Sequence, residues 1–185
     1  VPYLSKEALT LVKEYGLWDA SPTAGTHHLM AVANFLHSSG SATYVPQAFG
    51  TGTNPSTSLT HSADPTYYLP TYWLLNNNIT IDQVQILATS NGDTTMNFHV
   101  MAFDCVTGSG SSAGNLTNGV HHATSGTTDP DSLSPITVEN NRITNTTLTI
   151  ETADIDSGKV VLATAENVGG TDDISVQLNI TYHIR

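Results

Sequence analysis

The final segment of the chain alternates apolar and polar residues without interruption from Ile174 to Ile184. Successive side chains of a β-strand point to opposite faces, so this alternation predicts a strand with one dry face and one wet face. The apolar positions are Ile174, Val176, Leu178, Ile180, Tyr182 and Ile184. The segment therefore predicts an antiparallel sheet that is packed on one side only.

A second alternating segment, residues 79–88, changes its parity in the middle. Its apolar residues occupy odd positions at Ile79 and Ile81 and even positions at Val84 and Ile86. A β-bulge inserts one extra residue into a strand and restores the facing of the side chains that follow. We therefore predict one continuous strand with a bulge at Asp82-Gln83.

The remaining strands are predicted from apolar runs bounded by turn residues. Residues 96–106 are almost continuously apolar and predict a strand that is buried on both faces. Further strands are expected near 135–139, 146–152 and 159–165, with long surface loops at 50–66 and 107–134. Residues 26–49 favour a hairpin, although the alanines in 28–36 also suit a helix. Together these segments give about eight to ten short strands. They predict an all-β fold, namely an antiparallel β-sandwich or jelly roll.

The first residues carry the capping signals of a short helix. Ser5 is placed as an N-terminal cap and Gly16 as the residue that ends the helix. A helix this short is not stable alone, so its apolar side must dock on another surface. We predict a helix and an extended anchoring arm over residues 1–25 and a jelly-roll domain over residues 26–185. The candidate residues for a capsid or subunit interface are Leu4, Leu11, Val12, Tyr15 and Trp18.

Aromatic residues are concentrated at 67–73, around Pro70. Proline cannot donate to a sheet ladder, so this segment is expected at an edge or a bend. The rings of Tyr67, Tyr68, Tyr72 and Trp73 suit a core or a subunit interface, and the alternative is a platform on which a glycan stacks.

The negative net charge and the scarcity of lysine and arginine exclude whole classes of function. The 185 residues carry a formal net charge of −11, from 16 carboxylates and 5 lysines or arginines. No lysine or arginine occurs from Glu14 to Asn141. Nucleic acid and anionic membrane surfaces bind through cationic side chains, so we expect neither as a direct partner.

One motif suggests catalysis, and its context argues against it. Residues 110–114 match the G-x-S-x-G pattern of a nucleophile elbow. That motif needs a strand before it and a helix after it, and the sequence from Asn115 to Gly119 does not favour a helix. We therefore predict a surface loop, no catalytic residue, no cofactor and no enzyme activity.

The eight histidines raise the question of a metal site. Neighbours on a strand point to opposite faces, so neither His27-His28 nor His121-His122 is expected to bind one ion. No metal ligand set is predicted within one chain. His99 and His183 remain candidates for a site shared at a three-fold axis.

Three groups of acidic residues suggest a calcium-binding site. They are Asp129-Pro130-Asp131, Asp154-Ile155-Asp156 and Asp172-Asp173. None forms the calcium-binding loop pattern D-x-[DN]-x-[DN]-G with its distal glutamate. We therefore assign these residues to turns.

Four segments resemble the jelly-roll surface proteins of tailed-bacteriophage virions, namely capsid decoration proteins and the heads of short fibres. The segments are Tyr67–Pro70, Asn78–Asp82, Asp156–Val161 and Asp173–Tyr182. The resemblance implies a non-enzymatic protein on the virion surface, often a homotrimer, that binds the major capsid protein or another virion protein. It further implies that the N-terminal segment is the tether.

Two functions follow from this resemblance. The first is a capsid decoration or cement protein. The second is a receptor-binding tail fibre or tip, or a lectin-like adhesion domain, whose long loops bind host-surface glycan.

Overall fold

The computed structural model describes residues 10–19, 22–32, 48–52, 54–59, 71–105, 115–125, 134–169 and 172–185. These ranges contain strands and turns and no α-helix, and hence no helix that could cross a bilayer. The strands are β1 (Thr10–Asp19), β2 (His27–Leu29), β3 (Ala31–Val32), β4 (Trp73–Leu74), β5 (Ile79–Ser90), β6 (Thr94–Cys105), β7 (Leu116–Thr124), β8 (Ile136–Val138), β9 (Thr144–Thr147), β10 (Thr149–Ile150), β11 (Asp154–Ile155), β12 (Lys159–Asn167) and β13 (Ile174–Ile184).

The strands form two antiparallel sheets that pack against each other as a β-sandwich. The six-stranded sheet has the order β11-β5-β13-β1-β3, and β9 also pairs with β5. The seven-stranded sheet has the order β10-β7-β6-β12-β2, while β4 pairs with β12 and β8 with β6. The sequence-based prediction of an antiparallel β-sandwich is confirmed.

The main core fills the space between the sheets. From β13 it receives Ile174, Val176, Leu178 and Ile180, and from β6 it receives Met96, Phe98, Val100 and Ala102. The apolar residues of β13 face this core, whereas Ser175 and Gln177 between them are exposed. The alternation in the sequence therefore corresponds to the core side and the solvent side of the strand.

The predicted N-terminal helix is wrong from Thr10 onward, because these residues form β1. This strand pairs with β13 along its whole length, from Thr10 opposite His183 to Asp19 opposite Ile174. Local capping signals are weak compared with a continuous ladder of backbone hydrogen bonds and a buried face. The sandwich therefore begins before the predicted boundary between residues 25 and 26.

The predicted bulge in β5 is confirmed. The register between β5 and β13 shifts so that Thr181 lies opposite Gln83 and Tyr182 lies opposite Ile81, which leaves Asp82 as the extra residue. Ile79, Ile81, Val84, Ile86 and Ala88 all enter the core, as the parity change required.

The predicted loop at 107–134 is wrong over Leu116–Thr124, which is β7. This strand pairs with β6 and β10, and its register with β6 shifts twice. Asn118 has a positive φ of 52°. These irregularities break the alternation by which a strand is recognised, so the sequence looks like a loop.

Candidate functional site: a histidine row and a strap

A segment of chain crosses the outer face of the seven-stranded sheet. It comprises residues 48–52 and 54–59, and we call it the strap. At β2 the Phe49 N–H donates to the His27 carbonyl (2.7 Å) and the His27 N–H donates to the Gly50 carbonyl (2.9 Å). At β7 the backbones of Leu59 and Leu116 exchange two hydrogen bonds of 2.9 Å. Since β12 and β6 lie between β2 and β7, the strap spans the two central strands.

Beneath one part of the strap lies a second apolar cluster, which we call the outer cluster. The rings of Phe49 and Phe103 meet edge to face with their centroids 5.7 Å apart. Gly119 passes so close to the Phe103 ring that a Cβ there would lie 2.4 Å from a ring carbon. The cluster consists of Leu29, Phe49, Leu59, Met101, Phe103, Leu116, Val160 and Leu162. This arrangement buries β6 and β12 on both faces.

A row of three histidines lies on the same outer face. His27 is on β2, His99 on β6 and His121 on β7. The ring centroids are 5.1 Å apart between His27 and His99 and 5.2 Å apart between His99 and His121. Neither His27 nor His99 has any solvent exposure. We call these residues the histidine row.

Polar side chains from the neighbouring strands surround the row. Glu166 Oε2 lies 3.6 Å from His27 Nε2 and accepts a hydrogen bond from Asn97 Nδ2 at 2.8 Å. His27 Nε2 also donates to the Gly52 carbonyl at 3.1 Å, which ties the row to the strap. Thr124 Oγ1 lies 3.3 Å from His99 Nδ1. The row is thus built from strands that are far apart in sequence.

Protonation of His99 is strongly disfavoured. Burial, together with the neighbouring His27 and His121, lowers its pKa from 6.5 to about 2. Its second ring nitrogen, Nε2, is buried and has no hydrogen-bond partner within the described residues. An imidazolium would need acceptors for both N–H groups, and the part of the chain that the structure describes provides none for the second.

The row does not converge on a single point. His27 and His121 reach His99 from opposite sides, because β2 and β7 flank the β6-β12 pair. Within the ranges that the structure describes, no three histidine, cysteine, aspartate or glutamate side chains are placed to hold a metal ion. His27 and His28 lie on opposite faces of β2, opposite Glu166 and Ala165 respectively, as expected from their adjacency.

His183, the other candidate for a shared site, lies on the outer face of the six-stranded sheet. Its Nδ1 is 2.8 Å from Asp82 Oδ2. Asp82 is the extra residue of the bulge, so the bulge brings this carboxylate to the histidine. The pair is partly exposed, and His183 shares no contact with the histidine row.

The assignment of the acidic groups to turns is wrong for Asp154, which lies on β11 opposite Thr80, whereas Asp156 follows that strand and Asp172-Asp173 precede β13. Arg185 binds both Asp154 (3.0 Å) and Asp156 (2.8 Å), so this group has a cationic partner within the chain. Asp173 accepts a hydrogen bond from Asn91. The group at 129–131 lies outside the described residues, as do residues 110–114 of the G-x-S-x-G match, and both assignments stay predictions.

The predicted interface residues of the N-terminal segment divide into two kinds. Leu11 is 43% exposed and Val12 is 56% exposed, so both are accessible to a partner. Tyr15, by contrast, is buried in the core, and its hydroxyl donates to the Val161 carbonyl at 3.0 Å. Its assignment to an interface is therefore corrected, since a core side chain cannot contact a partner. Leu4 and the side chain of Trp18 lie outside the described residues.

The two described aromatics of the 67–73 segment do not form one platform. Trp73 packs against the main core, with its ring centroid 5.0 Å from that of Tyr182. Tyr72 packs against the outer cluster instead. Neighbouring strand residues face opposite ways, so the two rings cannot stack on the same sugar. Tyr67 and Tyr68 lie outside the described residues.

Sequence reasoning identified His99 but missed the row itself. Its members lie on strands that meet only through non-local pairing, β12 with β2 and β6 with β7. The polar residues Asn97 and His99 within the apolar run of β6 were the available signal, because a buried polar side chain needs partners.

Comparisons with known proteins give no family. No protein-family model matches the chain, and no curated protein sequence matches it. One solved structure with local similarity is that of the CBM22-1 and GH10 modules of endo-1,4-β-D-xylanase 10B from Clostridium thermocellum, complexed with xylohexaose. The two share 10% identity with a TM-score of 0.31, and the match covers 61% of this chain and 18% of the xylanase chain.

Proposed function

We propose that this chain is a non-enzymatic structural protein of a tailed-phage virion surface, and more narrowly a capsid decoration or cement protein. In this proposal it is a homotrimer that binds the major capsid protein or another virion protein. It needs no cofactor, and its partners include neither nucleic acid nor membrane. The acidic, cation-poor composition supports this proposal, because such a surface resists adhesion to anionic cell components.

The observation that carries the proposal is the leading end of β1. Tyr15 and Leu17 fix the strand in the core, while Leu11 and Val12 just before them present apolar side chains to solvent. Because neighbouring strand residues face opposite ways, Leu11 and Val12 present one exposed apolar side chain on each face of this end of β1, next to the N-terminal residues. Exposed apolar side chains at such a position suit attachment to another protein.

The first test is the protein composition of virions purified from the source of this chain. Quantitative mass spectrometry should find the chain in numbers comparable with the major capsid protein. A small fixed number at the tail would instead favour the receptor-binding alternative. Absence from the particle would overturn both.

The second test removes the apolar contact. The double variant Leu11→Thr and Val12→Thr keeps β-propensity and should weaken binding to capsids by about tenfold or more. Ile143→Thr is the matched control, since Ile143 is 78% exposed elsewhere. Equal binding by the double variant and the wild type would contradict the attachment site. A truncation should remove only residues 1–9, because a longer deletion takes away β1.

A further inference from the structure

The exposed end of β1 lies at an edge of the six-stranded sheet. On the side of β1 away from β13, the described part of the sheet contains only β3, which pairs with Tyr15 and Gly16 alone. Among the described residues, no strand lies beside residues 11–14 on that side, whereas β13 pairs with all four on the other. We call this side of residues 11–14 the β1 edge. Alternate backbone N–H and C=O groups point out of the sheet there and are able to pair with another strand.

The exposed apolar side chains at the β1 edge occupy both faces of the sheet. Leu11 lies on the same face as the core residues Tyr15 and Leu17, whereas Val12 lies on the outer face. A partner that docks flat against one face of the sheet covers only one of these two side chains. A strand added at the edge contacts both, because cross-strand neighbours lie about 5 Å apart on each face. The distribution of Leu11 and Val12 therefore favours strand addition over docking on one face.

Two charged side chains define which segment fits the β1 edge. Lys13 lies on the core side of the strand, with its Nζ 5.5 Å from the centroid of the Trp73 ring. Glu14 is exposed on the outer face. A complementary segment therefore carries two neighbouring apolar residues, an acidic residue opposite Lys13 and a basic residue opposite Glu14.

We propose that the β1 edge is a strand-addition site, at which an extended segment of another virion protein pairs with β1. This inference rests on the proposed function, because it states how that attachment is made. The added strand continues the row of the sheet that β3 begins at Tyr15 and Gly16. Backbone hydrogen bonds supply affinity for any extended segment, while the apolar contacts and the two charges select the segment described above.

The first test separates the two faces of β1. The single variants Leu11→Thr and Val12→Thr should each weaken binding of the full chain to capsid particles assembled without it by about threefold. Ile143→Thr is again the control, since Ile143 is exposed elsewhere. Weaker binding in only one of the two variants would indicate docking on one face, and would overturn strand addition while capsid attachment stands. Absence of binding by the wild-type chain would instead overturn the proposed function, and this inference with it.

A charge reversal tests the chemistry assigned to the partner segment. Glu14→Lys should weaken binding to the same particles by about threefold or more, because it places two like charges opposite each other. Equal or tighter binding by this variant would overturn the partner segment assigned here.

Hydrogen–deuterium exchange of the wild-type chain tests the backbone pairing itself and needs no variant. In the unbound full chain, alternate N–H groups of residues 11–14 should exchange as fast as exposed amides, while those between them are protected by β13. On the particles, all the N–H groups of residues 11–14 should be protected.

Three results of the exchange experiment would overturn the proposal. Protection of the β1 edge in the unbound chain at high dilution would show that another segment of the same chain covers it. Protection that appears only as the unbound chain is concentrated would identify a second copy as the occupant. Rapid exchange of the β1 edge in particle-bound chain would place the attachment elsewhere on the molecule.

Discussion

The two sheets of this sandwich differ in what covers their outer faces. Among the described residues, no segment crosses the outer face of the six-stranded sheet, and β13 alternates between core residues and exposed or half-buried residues. The seven-stranded sheet is covered by the main core on one side and by the strap on the other, so that β6 is buried from Met96 to Phe103. The first sheet follows the simple rule of alternation, whereas the second follows it only once the strap is in place.

This difference shows where polar residues acquire a specific role. On the open sheet, Ser175, Gln177 and their neighbours face water, and each is replaceable at small cost. On the covered sheet, the same outward direction places His99, Thr164 and Glu166 in a closed space. Because buried polar groups need partners, these side chains constrain one another.

The largest expected effect is the difference in the free energy of unfolding between variants of apolar residues on the outer faces of the two sheets. Phe103→Ala should lower the free energy of unfolding by about 3–5 kcal/mol, because the ring is fully buried beneath the strap. Leu87→Ala, on the half-buried outer face of the six-stranded sheet, should cost about 1 kcal/mol or less. Chemical denaturation of both variants measures the difference, and equal costs would contradict the comparison.

The close approach of β7 to the outer cluster predicts a smaller effect. Gly119→Ala should destabilise by about 1–3 kcal/mol, because the new methyl group meets the Phe103 ring. Gly169→Ala is the matched control, since a Cβ at that position meets no atom within 4 Å. Thermal unfolding should leave the control close to the wild type. A neutral Gly119→Ala variant would show that β7 is not held against the ring.

The pH dependence of stability distinguishes the sheets in a third way. Burial lowers the pKa values of His99 and His122, both in the seven-stranded sheet. On acidification the unfolded chain therefore binds protons at a higher pH than the folded chain does. The free energy of unfolding falls as pH decreases from about 6.5 towards 2. The slope should approach about 1.4 kcal/mol per pH unit for each such histidine. Urea unfolding at several pH values measures it, and stability that rises on acidification would contradict the sign.

The smallest effect is expected from the partly exposed contact between His183 and Asp82 on the six-stranded sheet. His183→Gln removes the imidazole contact with Asp82 and should change stability by less than about 1 kcal/mol, because both side chains are accessible to water. Denaturation in low and high salt should give nearly the same difference. A loss as large as that of a core substitution would indicate that the bulge depends on this pair.

Much of the fold could be predicted from local pattern. The alternation of β13, the bulge of β5 and the buried character of β6 are each visible within one segment, and all three are confirmed. The helix at β1 and the loop at β7 were wrong for a common reason. Both segments become strands through pairing with partners distant in sequence, and pairing of that kind leaves no local signal.

The candidate sites were less accessible to sequence reasoning. Leu11 and Val12 are exposed, as an attachment surface requires, but Tyr15 is not. The histidine row depends on the order of strands in the sheet and on the path of the strap. Neither can be read from spacing, since His27 and His99 are far apart in the chain and meet only across β12.

The central claim is that the seven-stranded sheet is closed on both faces at neutral pH. Methionine oxidation tests it directly, because Met96 faces the main core and Met101 faces the strap, and both are buried. Treatment of the folded chain with peroxide at pH 7, followed by mass spectrometry, should find Met101 oxidised as slowly as Met96. Rapid oxidation of Met101 with Met96 intact would show an uncovered outer face and contradict the account.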